Sequence, residues 1–463
     1  MKRLLTRYLW AGAMLGVGGT LLSAPAAAQV HLIAQGRLAS GGGDKAANTA
    51  APLENGVAGN RLGGLGSALA YAGCDTFLAL PDRGPNAKAW NAALDNTDSY
   101  ITRFQTLRLT LHATPHDAHW PFRLQPALRQ TTLLWSSSAL VYGPGAAPVL
   151  NRAGHDYFTG RSDGFSADHA SDWPADARLD PESLRISNDG RTLYIGDEYG
   201  PHLYRFDRQT GRRLGVIKLP AWLAVAHPAP TGHAETHHNR QGRVGNHGLE
   251  GLAISPDGTV LFGAMQGALI QDGGNHGAYA RLLRIDLRSG RVQSFAYPLT
   301  RTSGRHGHAR YSGISEIVAV NDHQLLVDER DGGGLGGKHP ARVKRIYEVD
   351  LAGATPLGQA HGQAALGRHA LGKHLFVDLV KRLGAHGVTP AQVPEKIEGM
   401  AFGPDVRWQG KAWHTLYVST DNDFLDRVDG KPNPDRFFVL AFAPSDLPGY
   451  RAQQRAAACR RGS

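Results

Sequence analysis

The 463-residue sequence predicts an all-β fold, a β-propeller of four-stranded antiparallel blades. Three observations predict it. A β-hairpin introduced by an acidic residue recurs along the chain, third and fourth strand patterns follow several of these hairpins, and successive copies stand roughly 70 residues apart. That spacing divides the chain into about six blades, with five or seven left open by one long gap.

The clearest copy spans residues 180–207. Residues 183–187 and 192–196 read as short strands joined by Asn188-Asp189-Gly190, because an Asp-Gly turn accepts the positive φ that a tight hairpin needs. A third strand, 202–206, follows the loop Asp197-Glu198-Tyr199-Gly200-Pro201. A hairpin returns the end of its second strand to the start of its first, so Glu182 and the Asp197-Glu198 pair should share one sheet edge.

Further copies begin at Glu250-Gly251-Leu252, Glu316-Ile317-Val318 and Glu398-Gly399-Met400. Each leads through a polar turn to a second apolar strand: Val260-Leu261-Phe262, Leu325-Leu326-Val327 and Leu416-Tyr417-Val418. An earlier copy runs from Ser67-Ala68-Leu69 to Phe77-Leu78-Ala79, with Ser67 in the Glu position. Third strands end alike in Asp207, Asp286 and Asp350, and the runs 214–219 and 292–297 supply fourth strands.

The gap between Ser67 and Glu182 shows no clear second hairpin. Residues 144–178 there are rich in Gly, Ala, Asp and Pro and read as a long loop. Leu371, Leu375, Leu379 and Leu383, four apart, predict a short amphipathic helix within 369–386. His233, His237, His238 and His247 cluster in 228–247, which reads as a solvated loop rather than a transition-metal site, since no sheet element fixes them.

Lys2, Arg3 and Arg7 precede an apolar run over 9–22, and Ala26-Ala27-Ala28 supplies small residues for cleavage. Residues 1–28 therefore read as a secretory signal, the run being short for a membrane anchor. No integral membrane segment is expected after cleavage, and the protein is expected in the periplasm or outside the cell. In that compartment Cys74, in the first hairpin, and Cys459, near the C-terminus, are expected to form a disulfide tying the chain ends together. Two free thiols are the alternative. The formal net charge of +10 favours anionic substrates or simply aids solubility. No basic run interleaved with aromatics suggests a nucleic-acid groove. Oligomeric state is not legible.

The inner strand of each propeller blade lines the central channel. Glu182, Glu250, Glu316 and Glu398 should therefore converge on one mouth. Asp82, Asp197 and Asp421 stand after the hairpins of their copies; after Glu316 that place falls to Glu329 or Asp331, and in the third copy Met265-Gln266 replaces the acid. Two carboxylates about 4 Å apart repel by roughly 4 kcal/mol at an effective dielectric near 20. A ring of acids must therefore hold protons or take cations. Hard oxygen ligands in number suit Ca²⁺, or Mg²⁺, rather than zinc, and Asn246 and Asn422 add neutral oxygens. The alternative is that each acid caps backbone N–H groups of the next blade, or pairs with Arg83, Arg185 or Arg330.

Residues 332–339, GGGLGGKH, match a P-loop spacing, but His339 stands where Ser or Thr should, and no helix is predicted to follow. They read as a mobile loop over the mouth. No G-x-S-x-G elbow occurs.

The motifs Asp82-Arg83-Gly84-Pro85-Asn86, Asp180-Pro181-Glu182, Asp197-Glu198-Tyr199-Gly200-Pro201 and Gly248-Leu249-Glu250-Gly251-Leu252 resemble a phytase-like β-propeller family labelled "esterase-like activity of phytase". Tyr311-Ser312-Gly313-Ile314-Ser315-Glu316, Glu329-Arg330-Asp331, Lys396-Ile397-Glu398-Gly399-Met400 and Asp421-Asn422-Asp423 complete the set, and the resemblance spans about 60–443. Ser183 departs from the Gly expected after Glu182. The resemblance implies an exported propeller acting on phosphoesters. The expected reading is a metal-dependent phosphoric ester hydrolase, with Ca²⁺ on Glu182, Glu250, Glu316, Glu398, Asp82 and Asp421. Asp197 or Glu329 would be the general base, Arg83 and Arg330 would hold phosphate oxygens, and the substrate would be a small anionic or phosphorylated molecule. The alternative is a non-catalytic propeller that binds an anionic ligand or a protein partner, its acids and any metal being structural.

Overall fold

Each hairpin legible in the sequence forms the inner half of a four-stranded antiparallel sheet in the computed structural model, which describes residues 28–86, 90–114, 117, 119–303 and 309–455. The signal segment through Ala27 and Cys459 lie outside the described residues. Blade one comprises Ala68–Gly73, Thr76–Leu80, Arg103–Ala113 and Phe122–Leu133. Blade two comprises Pro181–Ile186, Thr192–Asp197, His202–Asp207 and Arg213–Ile217. Blade three comprises Leu249–Ile254, Val260–Met265, Tyr279–Asp286 and Val292–Pro298, and blade four Gly313–Ala319, Gln324–Arg330, Lys344–Asp350 and Lys373–Asp378. Blade five takes Lys396–Phe402, Lys411–Asp421 and Asp435–Phe442 from the C-terminal end of the chain. Its outermost strand is His31–Leu38, paired antiparallel with Asp435–Phe442. The inner strands adjoin one another around the ring in chain order, and the fifth adjoins the first.

The count is five blades, not six. Among the described residues the long gap holds no further four-stranded sheet: two unusually long strands of blade one fill part of it, and a largely irregular segment fills the rest, with a short two-stranded pairing of Trp135–Ser136 with Asp156–Tyr157 and bridges such as Thr159 to Arg178. Apolar side chains fill the spaces between blades, as where Leu78 and Phe104 of blade one pack with Leu184, Ile195 and Phe206 of blade two.

Two local expectations change. Residues 373–378 form the fourth strand of blade four, pairing with Arg345–Val349, and the helix is confined to Leu379–Ala385. Sheet completion overrides the leucine periodicity, and Asp378 caps the helix through Lys381 N–H. The His-rich stretch is partly helical over Gly232–His238, because Thr231 accepts a hydrogen bond from Ala234 N–H as N-cap.

A bulge at the start of each acid-headed hairpin aims the acids. In blades two and three the extra, unpaired residues are Glu182 and Glu250, and in blade five they are Glu398 and Gly399. In blade four the extra residue is Ser315, one place before Glu316. A bulge re-aims the side chain it carries. Glu316 accordingly points elsewhere, accepting hydrogen bonds from Leu252 N–H and Ile317 N–H and pairing with Arg185 at 3.0 Å.

The opposite mouth is closed. Arg185 reaches across the channel to the carbonyls of Leu69 and Ile317. Beneath it the C-terminal segment bonds to Val320, Pro256 and Ile186 through Arg451 N–H, Gln454 N–H and the Gln453 amide, and Tyr450 packs on Phe402.

Candidate functional site

Asp82, Asp180 and Glu182 bring carboxylate oxygens within 4.8 Å of one another, and Asp82, Asp421 and Asp423 do the same. Asp82 belongs to both triads. It follows the second strand of blade one, Glu182 heads blade two, and Asp421 ends the second strand of blade five. A close backbone approach brings these three neighbours together: a Cβ on Gly66 would stand 1.9 Å from the amide nitrogen of Asp421. Gly248 likewise lets blade three pass beside Glu198, where a Cβ would lie 2.3 Å from the Glu198 carbonyl oxygen.

Three cations answer the acids. Arg83 meets Asp180 at 2.5 Å, Asn246 Oδ1 at 2.6 Å and Glu198 at 3.8 Å. Lys396 bridges Asp421 at 2.9 Å and Asp423 at 2.6 Å. Arg330 meets Glu398 at 2.6 Å and donates to Ser315 Oγ. Glu250 accepts from the Gln266 amide at 2.6 Å, while its second oxygen is buried with no hydrogen-bond partner among the described residues. Asn422 is spent within the fold, accepting from Gly64 and Phe424 N–H.

Glu182 is the exception among these acids. Only 9% of it is exposed, and among the described residues no hydrogen-bond donor and no cation is paired with its carboxylate. Burial, then the neighbouring Asp180, pushes its carboxyl well above the usual range, and burial, then Asp421, does the same to Asp82. Glu198 is pushed up to about 7 by burial and Asp180, and Asp421 to about 6 by burial, with Lys396 pulling it back. Burial would raise Asp423 too, but Lys396 holds it below its ordinary value. A cluster of oxygen donors around a carboxylate with no protein partner among the described residues fits a hard cation such as Ca²⁺ or Mg²⁺.

A cleft of about 1100 Å³ opens beside the acids, over blades three to five. Arg310, Arg330, Lys338, Lys396, His247 and His339 line it, with Asp331 and Glu395. The glycine-rich loop forms one wall through Gly332, Gly336 and Gly337. Burial, then Arg330, lowers His247 to about 4, so its imidazole is neutral at physiological pH. Arg330 and Lys396 belong to both cleft and acid cluster, so an anion in the cleft would meet the same cations that face the carboxylates.

Of the residues singled out from sequence, the structure brings Asp82, Glu182 and Asp421 into the two triads and sets Arg83 against the first. Glu250 and Glu398 sit beside them in the electrostatics of the mouth, and Glu316 lies against Arg185. Neither acid expected as general base faces the mouth. Asp197 is fully buried and accepts from the N–H groups of Asp180, Tyr199 and Gly200 and pairs with His202. Glu329 is equally buried, held by Tyr297, Thr300, Ser312 and Lys373. Asp180, Glu198, Asp423 and Lys396 complete the cluster and were not singled out for it, although each stands within a motif already noted or beside a predicted ligand.

The model of the family described as "Phytase-like: Esterase-like activity of phytase" matches residues 60–424. An uncharacterized secreted protein of Arthroderma benhamiae is 29% identical over 271 residues, which span 50% of this chain and 50% of that protein. Among solved structures, a PQQ-bound aldose sugar dehydrogenase from Streptomyces coelicolor matches at 12% identity and TM-score 0.33, over 91% of this chain and 100% of that one. A periplasmic gluconolactonase from Pseudomonas aeruginosa matches at 13% identity and TM-score 0.31, over 80% and 84%. Likeness at that level carries no argument about activity.

Proposed function

The chain belongs to the phytase-like family whose model covers residues 60–424, and from that premise we propose that it is an exported, metal-dependent phosphoric ester hydrolase working at the acidic mouth of the propeller. The single observation that carries this reading is the buried, unpaired Glu182 carboxylate beside Asp82 and Asp180, adjoining a cation-lined cleft. Glu182, Asp82 and Asp180 would hold the ion, Ca²⁺ or Mg²⁺. Such an ion polarises a phosphoryl oxygen and lowers the pKa of a bound water. Arg330 and Lys396, shared between cleft and acids, bind and orient the phosphate oxygens of the substrate. Glu198, which accepts from Gly248 N–H and lies 3.8 Å from Arg83 at the edge of the cluster, is the carboxylate assigned to accept a proton.

Hydrolysis of p-nitrophenyl phosphate and of phytate, measured on metal-replete and chelated protein, tests the reading. Turnover that the chelator abolishes and Ca²⁺ restores supports it; no turnover of either ester in either condition overturns it.

A second reading has its own observation. Arg83, Arg330 and Lys396 are each already paired with an acid, as in a mouth built for rigidity. On that reading the propeller binds an anionic ligand without turning it over. Turnover separates the two: a hydrolase releases phosphate from a bound ester and loses that release in Glu182→Gln, whereas a binding-only propeller leaves the bound ester intact in wild type and variant alike. Export also suits a Cys74–Cys459 disulfide, which mass spectrometry of non-reduced peptides would detect.

A further inference from the structure

The two acid triads at the mouth look alike in composition but differ in what compensates them. In the triad of Asp82, Asp421 and Asp423, the Lys396 ammonium lies 2.9 Å from Asp421 and 2.6 Å from Asp423, on the two acids that Asp82 does not share with the other triad. In the triad of Asp82, Asp180 and Glu182, Arg83 reaches Asp180 alone, and Glu182 has neither donor nor cation among the described residues although it is nine-tenths buried. Among the described residues the buried second oxygen of Glu250 is also without a hydrogen-bond partner, and Glu250 acts electrostatically on Glu182. Uncompensated charge is thus concentrated on one side of Asp82.

We propose that the mouth holds one divalent cation, on Asp82, Asp180 and Glu182, and that Lys396 occupies the place of a second on Asp421 and Asp423. This rests on the metal-dependent reading above and deepens it. An ammonium with three donors spans two carboxylates at hydrogen-bond distance as a divalent ion would, at half the charge and with no open coordination position. Paired buried charges are costly to break singly, so a free dication must displace Lys396 against two short contacts to enter the second triad. Lys396 therefore sets the number of metal ions, and keeps one edge of the site available as a fixed positive charge facing the cleft.

The test is cation stoichiometry on the full mature chain, with Ca²⁺ as the probe, by calorimetric titration and by elemental analysis after dialysis. The wild-type protein is expected to bind one Ca²⁺ per chain. Lys396→Met should bind two, and Asp423→Asn should still bind one. Glu182→Gln should bind none. Two ions in the wild-type protein overturn the proposal, as does a folded Lys396→Met that binds only one. Should Lys396→Met fail to fold, Asp423→Asn still decides, since loss of the single ion there would place it on the wrong triad. No bound ion in the wild-type protein overturns the metal-dependent reading itself, an outcome distinct from two.

Discussion

The Arg185 guanidinium of blade two meets the Glu316 carboxylate of blade four at 3.0 Å, inside the channel that separates them. Both are buried, and Arg185 also donates to the carbonyls of Leu69 in blade one and Ile317 in blade four. With a further bond to the Met400 carbonyl of blade five, one side chain ties four of the five blades together at the axis of the ring.

Removing that side chain should be costly. Arg185→Leu leaves Glu316 buried without its cation and orphans several carbonyls, so a loss of about 3–5 kcal/mol is expected. Chemical denaturation checks the size. Adding Glu316→Gln should recover part of the loss, because the amide oxygen can still accept from Leu252 and Ile317 while the unpaired charge is gone.

Glu182→Gln should have opposite effects with and without metal. In chelated protein it removes an unpaired buried carboxylate and should raise stability by about 1–3 kcal/mol. With Ca²⁺ present, the wild-type protein should gain about 2.7 kcal/mol at a hundredfold excess over Kd, a gain the variant lacks. Thermal melts in EDTA and in Ca²⁺ would show the two curves crossing; parallel curves would remove Glu182 from the site.

Asp98 supplies a pH dependence away from the mouth. Burial raises its carboxyl to about 7, with hydrogen bonds from Tyr100 N–H and the Asn55 amide pulling it back. The folded state therefore holds the proton more tightly than the unfolded chain does. Its contribution is complete below about pH 4 and is lost as pH rises to about 7, by at most roughly 4 kcal/mol. Asp98→Asn should raise the Tm at pH 8 and leave it nearly unchanged at pH 4.

Deleting residues 448–463 should open the closed mouth. In a chain that already carries Cys74→Ser and Cys459→Ser, so that no disulfide is lost, the hydrogen bonds to Val320, Pro256 and Ile186 would go, each worth about 1 kcal/mol net, together with the packing of Tyr450 on Phe402. A Tm lowered by several degrees with Ca²⁺ binding at the far mouth intact is the expected result. Loss of Ca²⁺ binding would mean that the two mouths are coupled.

The propeller was legible because each hairpin carries a turn signal and alternating strands, and because the copies repeat. The blade total was not, since long strands in blade one and an irregular segment occupy a gap that spacing alone assigns to another blade. Acids at the mouth were legible as a set. Their individual roles were not, because a bulge at Glu182, Glu250 and Glu398 but at Ser315 in blade four decides which carboxylate faces the mouth, and a register shift leaves no mark in residue type. Asp197 and Glu329 illustrate the same limit: their spacing suggested catalysis, yet backbone N–H groups and neighbouring side chains consume them.

Blade five draws its outermost strand from residues 31–38 and its other three from the far end of the chain. Until Asp435–Phe442 has been made and delivered, His31–Leu38 has no partner, and the forming ring keeps an open seam with unpaired peptide groups. Contacts so distant along the chain form slowly. On the exported reading proposed above, a chain threaded outward from its N-terminus would stay unlocked throughout its passage, and would snap shut only once its last strand had arrived on the other side.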